Sequence, residues 1–146
     1  MINRSYYALG GAMVLLIVDR LAKQLAILYQ NQTGVGDWLF FGFFVNPGAV
    51  FSLPMANWLA AMAGWSIVVG LLFWLIRLWS KGFNLFILGL IFLLVGGMSN
   101  SYDRLIWGGV IDYVSLFNLM SFNLADCYLI IGLGCLLRGG KQLYVR

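Results

Sequence analysis

FNLFILGLIFLLVGGMSNSYDR, residues 83–104, decides the fold. It is apolar until its last turns, and its 22 residues make a helix of roughly 33 Å at 1.5 Å per residue, about the thickness of bilayer hydrocarbon. Three more stretches of this kind flank it, at about 6–28, 57–79 and 122–140. All four must be helices, because any other backbone leaves its polar groups unsatisfied in lipid. The composition agrees: of 146 residues 62% are hydrophobic and 10% charged, with a mean hydropathy of +0.91. A soluble single-core protein is excluded. The expected fold class is all-α integral membrane, one domain over residues 1–146 with four transmembrane helices and no internal repeat.

Basic residues set the orientation, because short loops rich in Lys and Arg stay cytoplasmic. Arg4, the loop holding Arg77 and Lys81, and the tail with Arg138, Lys141 and Arg146 fall on one side. An even number of spans puts both termini there, so the connections at 29–56 and 105–121 face outward. The net charge of +4 is thus a topology signal and not a nucleic-acid patch. The first span follows a basic residue, as a signal peptide does, but no small-residue cleavage site precedes a polar domain, so it reads as an uncleaved helix. Cys127 and Cys135 fall eight residues apart in one helix, roughly 12 Å along its axis. That is too far for a disulfide, and both read as buried free thiols.

The outward segment at about 30–56 holds both prolines, several glycines and the aromatic cluster Trp38, Phe40, Phe41, Phe43 and Phe44. Turns and short strands are expected there, a small β-like cradle and surface segment lying at headgroup level, where aromatic rings collect.

Ionisable groups inside a span are costly and persist where they face the bundle interior. Asp19 and Lys23 stand at i and i+4 on the first helix, within reach of an ion pair that serves equally as a structural lock. Asn100 and Asp103 end the third helix three residues apart, and Asn123 and Asp126 open the fourth with the same spacing. Asp112 lies in the short connection between them. Each Asp alone is as readily a helix cap as a functional group. With no His, no Glu and both thiols in an apolar helix, the acid and base groups available are aspartates. Two carboxylates near one another share a proton, so one can activate a water while the other polarises a carbonyl. That is metal-free aspartyl peptide hydrolysis, and its titration belongs to the pair.

With those residues in view, the chain resembles lipoprotein signal peptidase, the signal peptidase II family of intramembrane aspartyl proteases. The likeness rests on four blocks in order: VDRLAK (18–23), NPGAVFS (46–52), NSYDRLIWGGVIDY (100–113) and FNLAD (122–126). It implies a multi-pass enzyme of the bacterial inner membrane, with both termini cytoplasmic and its active site toward the periplasm. The implied substrate is a diacylglyceryl-modified prolipoprotein, cut just before the lipidated Cys. By motif position Asp112 and Asp126 would be catalytic. Asn46, Asn100, Asp103, Arg104, Asn123, Asp19 and Lys23 would bind substrate or support the pair. No cofactor or metal is implied; membrane lipids and globomycin-type inhibitors are the other implied partners. The chain departs from the family pattern at Arg20, usually Gln, at Pro47 within the N-x-G-A block, and at Ser99, usually Gly. The connection from Asp112 to Asp126, 13 residues, is also short. Two other readings stand beside the peptidase. One is a small transporter or proton channel, since intramembrane charges also mark ion paths. The other is a non-catalytic relative that binds lipoproteins.

Overall fold

The computed structural model describes residues 4–47, 57–80 and 82–143. Among them the order is α1 (Arg4–Leu28), β1 (Thr33–Val35), β2 (Leu39–Asn46), α2 (Asn57–Trp79), α3 (Leu85–Trp107), β3 (Val110–Leu116), β4 (Met120–Phe122) and α4 (Leu124–Leu143). Lys81, Arg146 and residues 48–56 of the expected cradle lie outside the described residues, as do the side chains of Arg4 and Lys141.

The apolar stretch at 83–104 forms most of the central helix. α3 packs against α4, α2 and α1, burying Ile87, Leu90, Ile91 and Leu94 in its first half and Ser99, Asn100, Ser101 and Asp103 in its second. Its start is capped by Asn84, whose side chain accepts from the Ile87 N–H at 2.9 Å. Its end is set by Gly108 at φ 69°, a left-handed position that glycine adopts without cost. Glycines also set the close approach of α3 to α4: a Cβ on Gly89 would stand 2.8 Å from the Gly132 carbonyl oxygen, and one on Gly132 2.9 Å from that of Gly89. Small residues pair helices this way where no hydrophobic effect drives them together. α2 and α3 are long and apolar enough to cross a membrane by length and composition. α1 and α4 carry Asp19, Arg20 and Lys23, and Asp126 and Arg138, and do not meet that measure among the described residues.

The expected fold needs correction at the sheet. The sequence places it in the connection between the first two helices, yet it is a four-stranded antiparallel sheet in the order β1-β2-β3-β4, half of it built from the connection between α3 and α4. The hairpin β1–β2 alone would be marginal in water, and VIDYVSL, residues 110–116, brings the β-branched and aromatic residues that complete it. The fourth helix accordingly starts at Leu124 rather than 122, since Phe122 belongs to β4, and α3 runs on to Trp107. Tight turning explains how the short connection suffices. Phe117 and Asn118 both sit at φ 53°, and Leu119 N–H donates to the Leu116 carbonyl at 2.9 Å, as in the primed turns that suit twisted hairpins. The aromatic cluster is mostly β2 itself, where Phe43 packs edge-on against Trp107 at 6.3 Å between centroids. The two cysteines are free but half-buried, not buried, because α4 presents one side outward.

Candidate active site

Asp112 lies at the third position of β3 and is 1% exposed. Its surroundings depend on a bulge. Phe41 pairs with Val114, but three residues on Phe44 pairs with Asp112, only two residues back, so β2 carries one extra residue. Directly paired residues share a face of a sheet. Without the extra residue Asn46 would fall opposite Gly109 and project to the face away from Asp112; with it, Asn46 pairs with Val110 and shares the Asp112 face. The Asn46 amide donates to Asp112 Oδ2 at 3.3 Å, Ser121 Oγ donates to the same oxygen at 3.0 Å, and Asn123 Nδ2 donates to Oδ1 at 2.7 Å. Burial, and after it the neighbouring Asp126 carboxylate, push Asp112 above the usual carboxylate range against the pull of these three bonds.

Asp126 is held by the helix end it helps to build. Asn123 Oδ1 accepts from the Asp126 N–H at 3.0 Å, and Asp126 Oδ2 accepts from the Asn123 N–H at 3.2 Å. This is a reciprocal capping box made with Asn and Asp. The next two N–H groups find side chains as well: Leu124 donates to the Tyr113 hydroxyl at 2.9 Å and Ala125 to Asp19 Oδ1 at 3.1 Å. A helix start so placed would otherwise leave buried orphan donors. Burial raises the Tyr113 phenol above its ordinary value, so it stays neutral. Asn123 therefore touches both carboxylates, Asp112 through its amide and Asp126 through its backbone.

A third group of residues stands behind the pair. Lys23, fully buried, is ion-paired with Asp103 Oδ2 at 2.7 Å and Asp19 Oδ2 at 3.2 Å, and donates to Asn100 Oδ1 at 2.8 Å and Ser99 Oγ at 3.3 Å. Because an ammonium only donates, it fixes Asn100 with its oxygen toward Lys23 and its amide toward α4. That amide donates to Asp126 Oδ1 at 2.8 Å. Asp103 also pairs with Arg20 and accepts from the Ile111 N–H at 3.3 Å. Arg104 lies within electrostatic reach of Asp126, Asp112 and Asp103.

The comparisons with known proteins bear on this arrangement. The family described as Signal peptidase (SPase) II matches residues 11–139. The chain belongs to the signal peptidase II family. Relatives include the lipoprotein signal peptidase of Chlorobaculum parvum, 35% identical with 86% of this chain and 88% of that one covered. That of Synechococcus sp. is 33% identical over 94% and 95%, and that of Microcystis aeruginosa 32% over 86% and 86%. In fold the chain is similar to a bacterial membrane enzyme solved in meso, with a TM-score of 0.73, 20% identity and 90% and 85% of the two chains covered. A second such structure gives 0.72 at 21% identity over 96% and 94%. Signal peptidase II is an aspartyl peptidase family, and this chain is a member of it.

Eight of the nine residues carried over from the family pattern enter one connected network in this signal peptidase, with Arg104 beside it. Asn46, Asn123, Asp112, Asp126, Asn100 and Lys23 are linked directly, and Asp19 and Asp103 through Lys23. Asn100 and Asp103, three residues apart on α3, diverge: one reaches Asp126 and the other Arg20 of α1. They meet again only at Lys23. Ser121 and Tyr113 were not singled out in the sequence. A signal existed, since Ser121 and Asn123 alternate along one strand face and Tyr113 follows Asp112 in the same block. Two departures from the family pattern touch each other: Arg20 Nη1 donates to Ser99 Oγ at 3.3 Å.

Proposed function

We propose that this chain removes signal peptides from diacylglyceryl-modified prolipoproteins by cutting just before the lipidated Cys, with Asp112 and Asp126 as the catalytic pair. The observation that carries this reading is that both carboxylates are hydrogen-bonded by Asn123, with uncharged donors around them. Asp112, the more deeply buried of the two, is assigned the shared proton. Asp126, accepting from Asn100 Nδ2 and the Asn123 N–H, is the base. It takes a proton from water as the water oxygen attacks the scissile carbonyl carbon, while Asp112 gives its proton to the carbonyl oxygen. Collapse of the tetrahedral species passes a proton to the amide nitrogen and breaks the C–N bond. No metal is needed for any of these steps.

The membrane reading follows from charge and helix direction. All four helices span, both termini are cytoplasmic, and the pair opens toward the periplasm at the level where the bond of a lipid-anchored substrate is presented. Arg77 in the last turn of α2 and Arg138 near the end of α4 lie at the helix ends opposite to Asp126. Globomycin-type inhibitors bind by wedging polar groups between the two carboxylates. The test is a gel-shift cleavage assay on purified protein with a diacylglyceryl-modified prolipoprotein, run with and without globomycin and with Asp126→Asn. Globomycin-sensitive release of the signal peptide, absent in the variant, is the expected result. Failure of folded protein to cleave any of several lipobox sequences overturns the activity. Cleavage by Asp126→Asn overturns the assignment of the pair.

A further inference from the structure

α1 and α2 both pack on the α3 side of the bundle but scarcely touch one another. Between them opens a cavity of about 460 Å³, walled by Leu16 and Arg20 of α1, Trp65 of α2, and Met98, Ser99 and Tyr102 of α3, among others. Its polar wall is rich in unused donors. Arg20 engages Asp103 and Ser99 through Nη1 alone; among the described residues no hydrogen bond uses its Nε or Nη2. The guanidinium is stacked on the Tyr102 ring at 4.8 Å, and the side chain is 28% exposed. Trp65 Nε1 is buried and is the one buried side-chain polar atom without a partner among the described residues.

We propose that this cavity seats the glycerol-ester region of a membrane phospholipid, whose ester carbonyl oxygens accept from Arg20 and Trp65 while an acyl chain lies along Leu16 and Met98. Charge decides for an ester rather than a phosphate. Arg20 and Lys23 are already neutralised by Asp103 and Asp19, so the wall offers donors without net positive charge. Depth agrees, on the membrane orientation proposed above. Arg20 lies eight residues before Leu28, the outward end of α1, roughly 12 Å below it at 1.5 Å per residue. That is a level for esters and upper acyl chains, with the phosphate above.

Helix geometry separates this seat from the peptide site. Ser99 and Asp103, four apart, share the face of α3 that meets Arg20, whereas Asn100 and Arg104 lie about 100° further round, on the face from which Asn100 reaches Asp126. The occupant is therefore a lipid of the bilayer and not the lipid of the substrate.

The test is native mass spectrometry of the detergent-purified chain titrated with diester phosphatidylglycerol and with its diether analogue, which keeps the phosphate and loses the carbonyls. One retained diester lipid is expected, with the diether bound about tenfold more weakly. Trp65→Phe, which removes a single N–H and keeps an aromatic ring, and Arg20→Gln should each bring diester binding down toward the diether level. Equal retention of diester and diether, or unchanged binding in both variants, overturns the proposal. Displacement of the bound lipid, one for one, by a diacylglyceryl-modified lipobox peptide also overturns it and assigns the cavity to substrate. Binding is read without cleavage, so its failure is distinguishable from failure of the peptidase reading.

Discussion

Two groups of aspartates sit side by side in this bundle under opposite electrostatic regimes. Asp19 and Asp103 face cations: Lys23 bridges both, and Arg20 adds a second pair to Asp103. Asp112 and Asp126 take their hydrogen bonds from uncharged donors, Asn46, Ser121, Asn123 and Asn100, and face one another. A carboxylate locked to a buried ammonium is a fixed charge and cannot exchange a proton cheaply. A pair whose hydrogen bonds come from neutral donors can pass a proton back and forth. On the proposed reading, the difference separates the part that holds the helices in register from the part that does chemistry.

The largest effect is expected at the neutral-donor pair. Asp112→Asn or Asp126→Asn should each lower cleavage roughly 10³- to 10⁴-fold in protein that still folds, read from the initial rate of signal-peptide release. Asp112 allows a second reading. Its folded-state value lies above the ordinary one, so the folded chain binds more protons than the unfolded chain in the interval between them. Stability from this group is then fully present below the ordinary carboxylate value and is lost as pH rises through the raised one. Melting curves at pH 5 and pH 8 should show the parent losing stability with pH and Asp112→Asn losing less. Equal slopes would remove Asp112 as the group responsible.

The ion-paired group should respond in the other currency, folding. Lys23→Met takes away the cation shared by two fully buried carboxylates and should cost about 3–5 kcal/mol, the usual consequence of orphaning buried charge. Adding Asp19→Asn to it should restore part of that loss. Denaturation by SDS, followed by circular dichroism, gives both numbers, and a cost under about 1 kcal/mol would show that the cluster is not structural.

Asn100 belongs to both groups, since its oxygen is claimed by Lys23 and its amide by Asp126. Asn100→Ala should lower kcat about tenfold, the worth of one hydrogen bond to a charged group, with KM little changed. A rise in KM alone would make Asn100 a substrate contact instead of a positioning residue for Asp126.

How much of this was legible in sequence follows from the range of each interaction. Helices of apolar residues announce themselves locally, so the four helices were placed to within a few residues. Asp19 and Lys23, one turn apart on one helix, were readable for the same reason. The Asn123–Asp126 box is local too. Long-range pairing is not. That VIDYVSL would join a sheet begun 77 residues earlier, and that one extra residue in β2 would swing Asn46 onto the Asp112 face, depends on register, which no local pattern encodes. Ser121 and Tyr113 were missed because each acts through a partner on another element. The motif likeness supplied Asn46 where local reasoning could not.

Arg20 and Ser99 pose the finest question, because both depart from the usual family residues and they meet. The Ser99 hydroxyl donates to Asp19 and accepts from Lys23 and Arg20, using its whole capacity. Arg20 in turn supplies Asp103 with a second cation that Gln could not. A Gly at 99 would take away one of the donors to Asp19, and a Gln at 20 would leave Lys23 as the cation on Asp103. Two changes that exploit one contact should be worth less apart than together. Arg20→Gln and Ser99→Gly, singly and combined, form a double-mutant cycle in which the coupling is expected at about 0.5–1 kcal/mol, with the double variant losing less than the sum. Additive losses would mean that the two residues arose independently and that Ser99 serves Asp19 and Lys23 alone. A coupling at the expected size would place Arg20 inside the compensated charge cluster, apart from the pair that takes its hydrogen bonds from Asn46, Ser121, Asn123 and Asn100.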